Sequence, residues 1–465
     1  MEESRATGQG GGLAAGLQGL TASLLSAVLL VLCFPPFNLA EAAYVFAVPL
    51  LLVALFGIRS KGEGVWLFLS GWLAWTAILV WLRNFTRHLD IPLAGLVGWL
   101  ALLALAAVMA VFWWAWWRIA LAVLRRARER GLAARLAALL GLAAWWIVLE
   151  WIRGNLFTGF PWAPLAASQW QRPLILQIAS VTGGAGVGFV LVGFNLGLSF
   201  YLHNLWVQRR GRWWRRLSPE FYTALALLFA AIGFGLHSAG AGERGRQAGP
   251  RLAFVQPDAG AVEKWDMALM EEHLGVLRDL TVYSGYLGAG LVLWPESPTP
   301  LPVKGNASMR DWVESLSREV GLPLLIGNVA REGAPDDLDR RWFNAVFFVD
   351  PESGLQADSY YAKRRLVPFG EYVPMARYLP FLRKVVPSQG EFYPGTSAAP
   401  LVHDAGDAGE QAVGVLVCYE DIFPALARAN TLAGADWHFV ATNNVWYGRE
   451  AGAWQHAAHS VLWAV

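Results

Sequence analysis

The stretch 93-LAGLVGWLALLALAAVMAVFWWAW-116 runs for 24 residues without a charge. As a helix it reaches about 36 Å, enough to cross about 30 Å of hydrocarbon. Working outward, six further apolar runs lie near 14–34, 39–58, 65–82, 132–152, 177–205 and 220–236. Seven membrane spans are therefore expected. The whole chain of 465 residues is 55% hydrophobic and 15% charged, with 25 Trp and a mean hydropathy of +0.38, a composition that excludes a soluble globule and a disordered chain. The first run is too long, and too soon followed by a second, for a cleaved secretory signal, and the Glu2-Glu3-Ser4-Arg5 before it is not a basic leader.

Charge divides the chain in two. Residues 1–250 hold 20 Lys and Arg against 9 Asp and Glu, a net +11, whereas residues 251–465 hold 17 against 26, a net −9. The arginines of the first half sit in clusters between apolar runs, not along one amphipathic face, so they read as topology signals and not as a nucleic-acid surface. Counted over alternate connecting segments, fourteen basic residues fall on the side of the N-terminus and four on the other. The positive-inside rule puts the N-terminus in the cytoplasm, and seven crossings deliver everything after about residue 240 to the outer face. The expected organisation is a transmembrane helix bundle over 1–245 and a second domain over 250–465.

From residue 251 the pattern changes to short apolar runs: RLAFVQ (251–256), LVLWPE (291–296), PLLIGNV (323–329), NAVFFVD (344–350), AVGVLVCYE (412–420) and HFVATNN (438–444). Helices are expected over Trp265–Leu280 and Ser308–Val320. Strands that are apolar throughout and alternate with helices indicate an α/β domain with a buried sheet. The proline-broken YLPFLRKVVP (378–387) reads as a loop able to touch lipid. The small-residue string 183-GGAGVG-188 lies in an apolar span with no strand before it, so it reads as helix packing and not as a phosphate turn.

Cys33 and Cys418 are too few and too far apart for a disulfide framework or a metal cluster. Cys418 closes an apolar strand, as Glu296 does in LVLWPES, and Lys363 follows a turn in YYAKRRLVPFGEY. A carboxylate, an ammonium and a thiol at one rim of a sheet would supply a base, an oxyanion partner and a nucleophile for acyl transfer. His456 and His459 are three apart on an expected helix with no third ligand, so no metal is expected and the helix surface is their place. Glu150 and Arg153 end the fifth run, either as a functional buried pair or as an interfacial salt bridge.

The strings LVLWPES (291–297), YYAKRRLVPFGEYVP (360–374), VLVCYED (415–421) and TNNVWYG (442–448), in this order, resemble the Glu, Lys and Cys motifs of the nitrilase superfamily of carbon–nitrogen hydrolases. With CFPPFN (33–38), EWIRG (150–154), FTGFPW (157–162), VQPDAGAVEKW (255–265) and WQHAAH (454–459), the chain is similar to the membrane branch of that superfamily, the apolipoprotein N-acyltransferases. The resemblance implies an αββα sandwich with Glu296 as general base, Lys363 supporting the tetrahedral intermediate and Cys418 as nucleophile. It implies that the thiol takes an acyl chain from a membrane phospholipid as a thioester and passes it to the amino group of a diacylated apolipoprotein N-terminus, with no cofactor. Glu371 is implied as the partner of the lysine, the Tyr419 N–H as an oxyanion donor, and Glu420 as a further supporting residue. Trp265 and Trp446 are implied as lining the lipid pocket, with Asn344 and Gln256 ordering the site.

The protein is then expected in the bacterial inner membrane as a monomer, with its catalytic domain periplasmic and its partners a phospholipid and a lipoprotein. Both substrates keep their chains in the outer leaflet, since drawing them into water costs about 0.8 kcal/mol per CH₂. The resemblance also implies further sheet and a last spanning helix beyond WQHAAH, which the sequence to Val465 lacks, so an unpaired sheet edge is expected. The competing readings are a membrane-bound amidase-type hydrolase, a transporter with a sensing domain, and an inactive lipoprotein-binding homologue. A transporter would carry more ionisable residues at mid-membrane than Glu41 and Glu150 near helix ends.

Overall fold

The computed structural model describes residues 3–88, 93–210, 217–245, 251–258, 260, 266–333, 340–374, 376, 378, 392–404 and 409–465. Trp265 and all of the 378–387 loop but Tyr378 lie outside the described residues. The chain divides into two compact units: Met1–Arg87, Leu93–Arg246 and Arg449–Val465 form one, and His88–Pro92 with Gln247–Gly448 the other.

The first unit is helical: α1 (Glu3–Leu32), α2 (Val48–Leu55), α3 (Glu63–Ile78), α4 (Ala94–Ala127), α5 (Leu132–Asn155), the single turn α6 (Pro173–Leu176), α7 (Ala179–Val207) and α8 (Pro219–Gly245). Among the described residues five helices are long and apolar enough to cross a membrane, or six if α3 and the 3-10 helix after it, bent by 52°, count as one span. The expected seven is therefore not reached among the described residues. The run at 39–58 is interrupted between Tyr44 and Val48, and Ala40–Leu55 is too short to cross alone. The interruption is held from inside the bundle, because the fully buried Asn195 of α7 accepts the Ala47 N–H and donates to the Ala43 carbonyl, each at 2.8 Å. Broken backbone survives in an apolar setting only when its polar groups are met this way. On α4, Leu102, Ala106, Met109, Ala110 and Trp113 are buried, whereas Leu100, Val108 and Val111 face outward as lipid-contacting residues would.

The 183–188 string does pack helices: a Cβ on Gly188 would come within 2.9 Å of Ile147 on α5. The last helix in the chain, Gly452–Trp463, packs on α7 in this same unit. On it His456 and His459 are buried, not on the helix surface, and each ring lies within 6 Å of the Trp162 ring (5.8 and 5.6 Å). On the same helix, Gln455 uses all its hydrogen-bonding capacity. Its Oε1 accepts from the indoles of Trp81 (3.0 Å) and Trp162 (2.7 Å), and its Nε2 donates to the carbonyls of Pro35 (3.1 Å) and Ile78 (3.0 Å).

The second unit has two sheets. In the first, β1 (Leu252–Phe254), β2 (Leu291–Trp294), β3 (Leu324–Glu332), β4 (Arg341–Asp350) and β5 (Gly354–Leu355) follow in order, and β6 (Tyr361–Ala362) also pairs with β4. β1, β2 and β3 are parallel, and β4 is antiparallel to β3. The second sheet is β7 (Leu401–Asp404), β8 (Glu410–Val417) and β9 (Trp437–Ala441), with β8 and β9 parallel. Leu293, Leu325 and Val346 of the first sheet share a core with Val413, Val415 and Phe439 of the second. The other face of the first sheet packs on the helices Met270–Tyr286 and Ala307–Val320, through Leu277, Met309, Val313 and Leu316. The helix Pro424–Leu432 lies against β8. The layers run helix, sheet, sheet, helix, each sheet buried as its continuous apolar strands require.

Candidate functional site

Parallel strands deliver their C-terminal ends to one edge of a sheet, and an antiparallel neighbour brings its N-terminal end there. Glu296 lies two residues past β2, Lys363 one past β6, Cys418 one past β8, and Asn344 near the start of β4. The crossing of β3 beside the Glu296 segment is so close that a Cβ on Gly327 would sit 2.3 Å from the Pro295 carbonyl oxygen and 2.9 Å from the Cα of Glu296. Ser297, next to Glu296, and Cys418 itself both adopt left-handed φ, +45° and +50°. Such a conformation costs about 1–3 kcal/mol in a residue other than glycine and concentrates at functional sites.

The polar groups form one network. Lys363, 1% exposed, donates to Glu371 Oε1 at 2.9 Å and to Glu296 Oε1 at 3.5 Å. The Asn344 amide donates to the same two oxygens, at 2.9 and 2.7 Å. The remaining carboxylate oxygens take backbone N–H groups: Glu371 Oε2 from Val367 at 2.8 Å, Glu296 Oε2 from Asn443 at 3.2 Å. Asn344 thus ties the two carboxylates together. Glu420, read as a supporting residue that a strand end would usually leave solvated, is fully buried. It accepts the N–H groups of Arg364 (2.7 Å), Arg365 (3.0 Å) and Val417 (2.8 Å) and the Tyr361 hydroxyl (2.8 Å). It therefore joins the segment that carries Lys363 to the strand that carries Cys418.

Electrostatics links these groups to the thiol. Burial opposes the charge on Lys363, yet Glu371 and then Glu296 hold its ammonium well above the ordinary lysine value. Cys418 is half-buried. Its thiol is pushed up to about 12, first by desolvation and then by the negative charge of Glu296, against the opposing pull of Lys363 and a hydrogen bond with Thr442. These shifts favour a neutral Cys418 thiol beside the Lys363 ammonium. Tyr419 is buried with its ring edge-on to Phe423 at 5.1 Å. Trp446 is half-buried in the turn after Asn443, and Gln256 is exposed just past β1. Sequence reading missed the Asn443 N–H, Thr442 and Tyr447, whose hydroxyl is held well above its ordinary value by burial. All three lie in the apolar-strand-then-polar string TNNVWYG, which was the available signal. Among the described residues no three His, Cys, Asp or Glu side chains gather as a metal site would require.

The two-sheet unit is a carbon–nitrogen hydrolase domain: that family's sequence model, described as "Carbon-nitrogen hydrolase", matches residues 251–464, and the "Apolipoprotein N-acyltransferase N-terminal domain" model matches residues 26–197. An apolipoprotein N-acyltransferase of Geobacter metallireducens is 30% identical over 449 residues, covering 95% of this chain and 81% of that protein. One of Brucella suis is 28% identical over 482 residues, covering 97% and 83%. The solved structure of an amidase from Nesterenkonia sp. is a more distant likeness, 22% identical, covering 42% of this chain and 66% of its own, with a TM-score of 0.30. The chain belongs to the apolipoprotein N-acyltransferase family.

Proposed function

We propose that the protein transfers an acyl chain from a membrane phospholipid to the α-amino group of a diacylated lipoprotein N-terminus through a thioester on Cys418. The observation that carries the reading is the buried Glu296–Lys363–Glu371–Asn344 network whose charge acts on the Cys418 thiol, in a chain of this family. In the first half-reaction the sulfur attacks the ester carbonyl as its proton passes to Glu296, and Lys363 meets the oxyanion with its remaining N–H. Collapse expels the lysophospholipid alkoxide, which takes the proton from Glu296. In the second, the lipoprotein amine attacks the thioester, gives its proton to Glu296, and the sulfur leaves and is reprotonated. The products are a lysophospholipid and an amide, and the two steps share one site in ping-pong order. Glu371 and Glu420 position Lys363, and Trp446 contributes to the wall for the chains.

The protein is an integral protein of a bacterial inner membrane on this reading. Among the described residues α8 is the one helix between the basic cluster Arg209, Arg210, Arg212, Arg215 and Arg216 and the hydrolase domain. If that cluster is cytoplasmic, the domain is periplasmic whether or not α2 counts as a crossing.

The test is to incubate the purified protein with phosphatidylethanolamine and look for a hydroxylamine-sensitive acyl adduct. It should form on Cys418, vanish in Cys418→Ala and Cys418→Ser, and be consumed when a diacylated lipopeptide is added. An adduct that persists in those variants would sink the assignment, and one that only water consumes would make the protein a hydrolase.

A further inference from the structure

The Glu150–Arg153 turn, which the acyl-transfer chemistry leaves unused, lies against a cavity of ≈ 30 Å³ inside the helical unit. Its walls include Trp75 of α3, Trp113 and Trp116 of α4, and Trp146 of α5. Arg153 also lines it, 6% exposed, with its guanidinium 5.0 Å from the centre of the Trp75 ring. Its Nε and Nη2 are buried without a hydrogen-bond partner, and so is the indole N–H of Trp113. Glu150 lines the same cavity and sets its charge beside Arg153, but its Oε1 is taken by the Leu165 N–H at 2.8 Å and it does not hydrogen-bond the Arg153 Nε or Nη2, so these donors stay unmet. A buried cation with unmet donors costs several kcal/mol unless an acceptor reaches it. The space, about two to three times the 10–15 Å³ or so that a single water needs, admits the two oxygens of one oxyanion edge.

Depth identifies the source of that oxyanion. Arg153 stands in the last turn of α5, a helix of 24 residues and so about 36 Å long, which puts it at one edge of the hydrocarbon. Trp151 beside it is 67% exposed and Phe157 just beyond is 94% exposed, the pattern of side chains that anchor a helix end at the membrane interface. Phospholipid phosphates lie at this level. We propose that Arg153 and its tryptophan walls form a binding site for the phosphate of a membrane phospholipid. The site rests on α5 being a span and is independent of the chemistry at Cys418.

The test is native mass spectrometry on the purified full chain, offered phosphatidylglycerol, phosphatidylethanolamine, diacylglycerol or inorganic phosphate. Wild type should retain both phospholipids at least tenfold more tightly than Arg153→Gln does, with Arg153→Lys between them and diacylglycerol unaffected by either change. Met109→Phe, which fills the cavity and leaves the guanidinium in place, should also lose the lipid and guards against misfolding of Arg153→Gln. Equal phospholipid retention by wild type, Arg153→Gln and Met109→Phe would overturn the site. Displacement of the lipid by millimolar inorganic phosphate would overturn the lipid assignment.

Discussion

The proposed role of Glu296 turns on the protonation state of Cys418, and that state can be read without any lipid. With the thiol pushed up to about 12, the thiolate fraction at pH 8 is about 10⁻⁴, whereas a thiol at the ordinary value of 9.0 is roughly one-tenth ionised. Iodoacetamide, a neutral reagent that needs the thiolate, should therefore alkylate Cys418 about a thousandfold more slowly than it alkylates the denatured chain. The rate should climb about tenfold per pH unit through pH 10, with no plateau. A Cys33→Ala background removes the other thiol, which is fully buried. In Glu296→Gln the second-largest cause of the raised value is gone, so alkylation at pH 8 should speed up while acyl transfer collapses. Misfolding would also speed labelling and abolish transfer, but it would give the denatured chain's plateau above about pH 9, whereas a folded Glu296→Gln, in which desolvation still acts on the thiol, should keep climbing towards pH 10. The measurement is the second-order alkylation rate by mass spectrometry between pH 7 and 10.5. Labelling at the free-thiol rate at pH 8, or a plateau below pH 9, would mean that the thiolate is the resting form and that no carboxylate is needed to take its proton.

Three further outcomes follow from particular contacts. Glu420→Gln keeps one acceptor oxygen in place of two and should lose at least two of four buried bonds, each worth about 1.5–3 kcal/mol to a charged acceptor. Adduct formation should fall by more than a hundredfold with lipid affinity unchanged, and an unchanged adduct rate would deny that Glu420 positions the Lys363 segment. Gln455→Leu strands two indole N–H groups and two carbonyls in the helical unit, at roughly 1–3 kcal/mol each. The heat-induced loss of monodisperse protein should shift several degrees down, and no shift would refute the hub. His403, buried and stacked on Phe348 at 5.2 Å, is held below the ordinary imidazole value by burial, against the pull of Asp404. Below about pH 6.5 the unfolded chain takes up a proton that the folded one resists, so stability should fall as pH drops through that value. His403→Phe should flatten the fall in thermal unfolding curves between pH 8 and 5, and an unaltered slope would assign it to other groups.

What could be read from the chain alone was what local sequence determines. Apolar length marks a span, so α4, α5, α7 and α8 stand close to where hydropathy puts them. The break before α2 does not show, because the residue that makes it tolerable, Asn195, lies 148 positions away on another helix. The six apolar runs of the second unit all become strands, whereas β7 escapes notice: in Leu401-Val402-His403-Asp404 buried and exposed residues alternate, and two of the four are polar. At the site, Glu296 and Cys418 were legible as reactive types at strand ends, and Lys363 as one following a turn. Glu420 came in as a supporting residue through the family likeness, but its burial was not legible, since the groups that bond it, Tyr361, Arg364 and Arg365, lie more than fifty residues earlier. Nor was the Asn443 N–H, a backbone donor that no side-chain motif encodes. His456 and His459 were misplaced to a helix surface because the residue that covers them, Trp162, belongs to a distant loop.

Two carboxylates flank one ammonium, and their different commitments separate their parts in the proposed chemistry. Glu371 is spent: its Oε1 holds Lys363 at 2.9 Å and Asn344 at 2.9 Å, while its Oε2 accepts Val367 N–H at 2.8 Å. Protonating it would break a close charge-assisted bond to a buried cation and leave Lys363 leaning on a partner 3.5 Å away. Glu296 is the looser acceptor, at 3.5 Å from Lys363 and 3.2 Å from the Asn443 N–H, and it is the carboxylate whose charge weighs most on the thiol. When Glu296 takes the thiol proton, the local charge stays at −1, because the negative charge moves to the substrate oxyanion beside an ammonium that Glu371 still holds. The same conservation applies when the amine gives up its proton in the second step. A site arranged in this way needs no free thiolate at rest and no counterion to follow the reaction, which suits chemistry carried out at the edge of a membrane where mobile charge is costly.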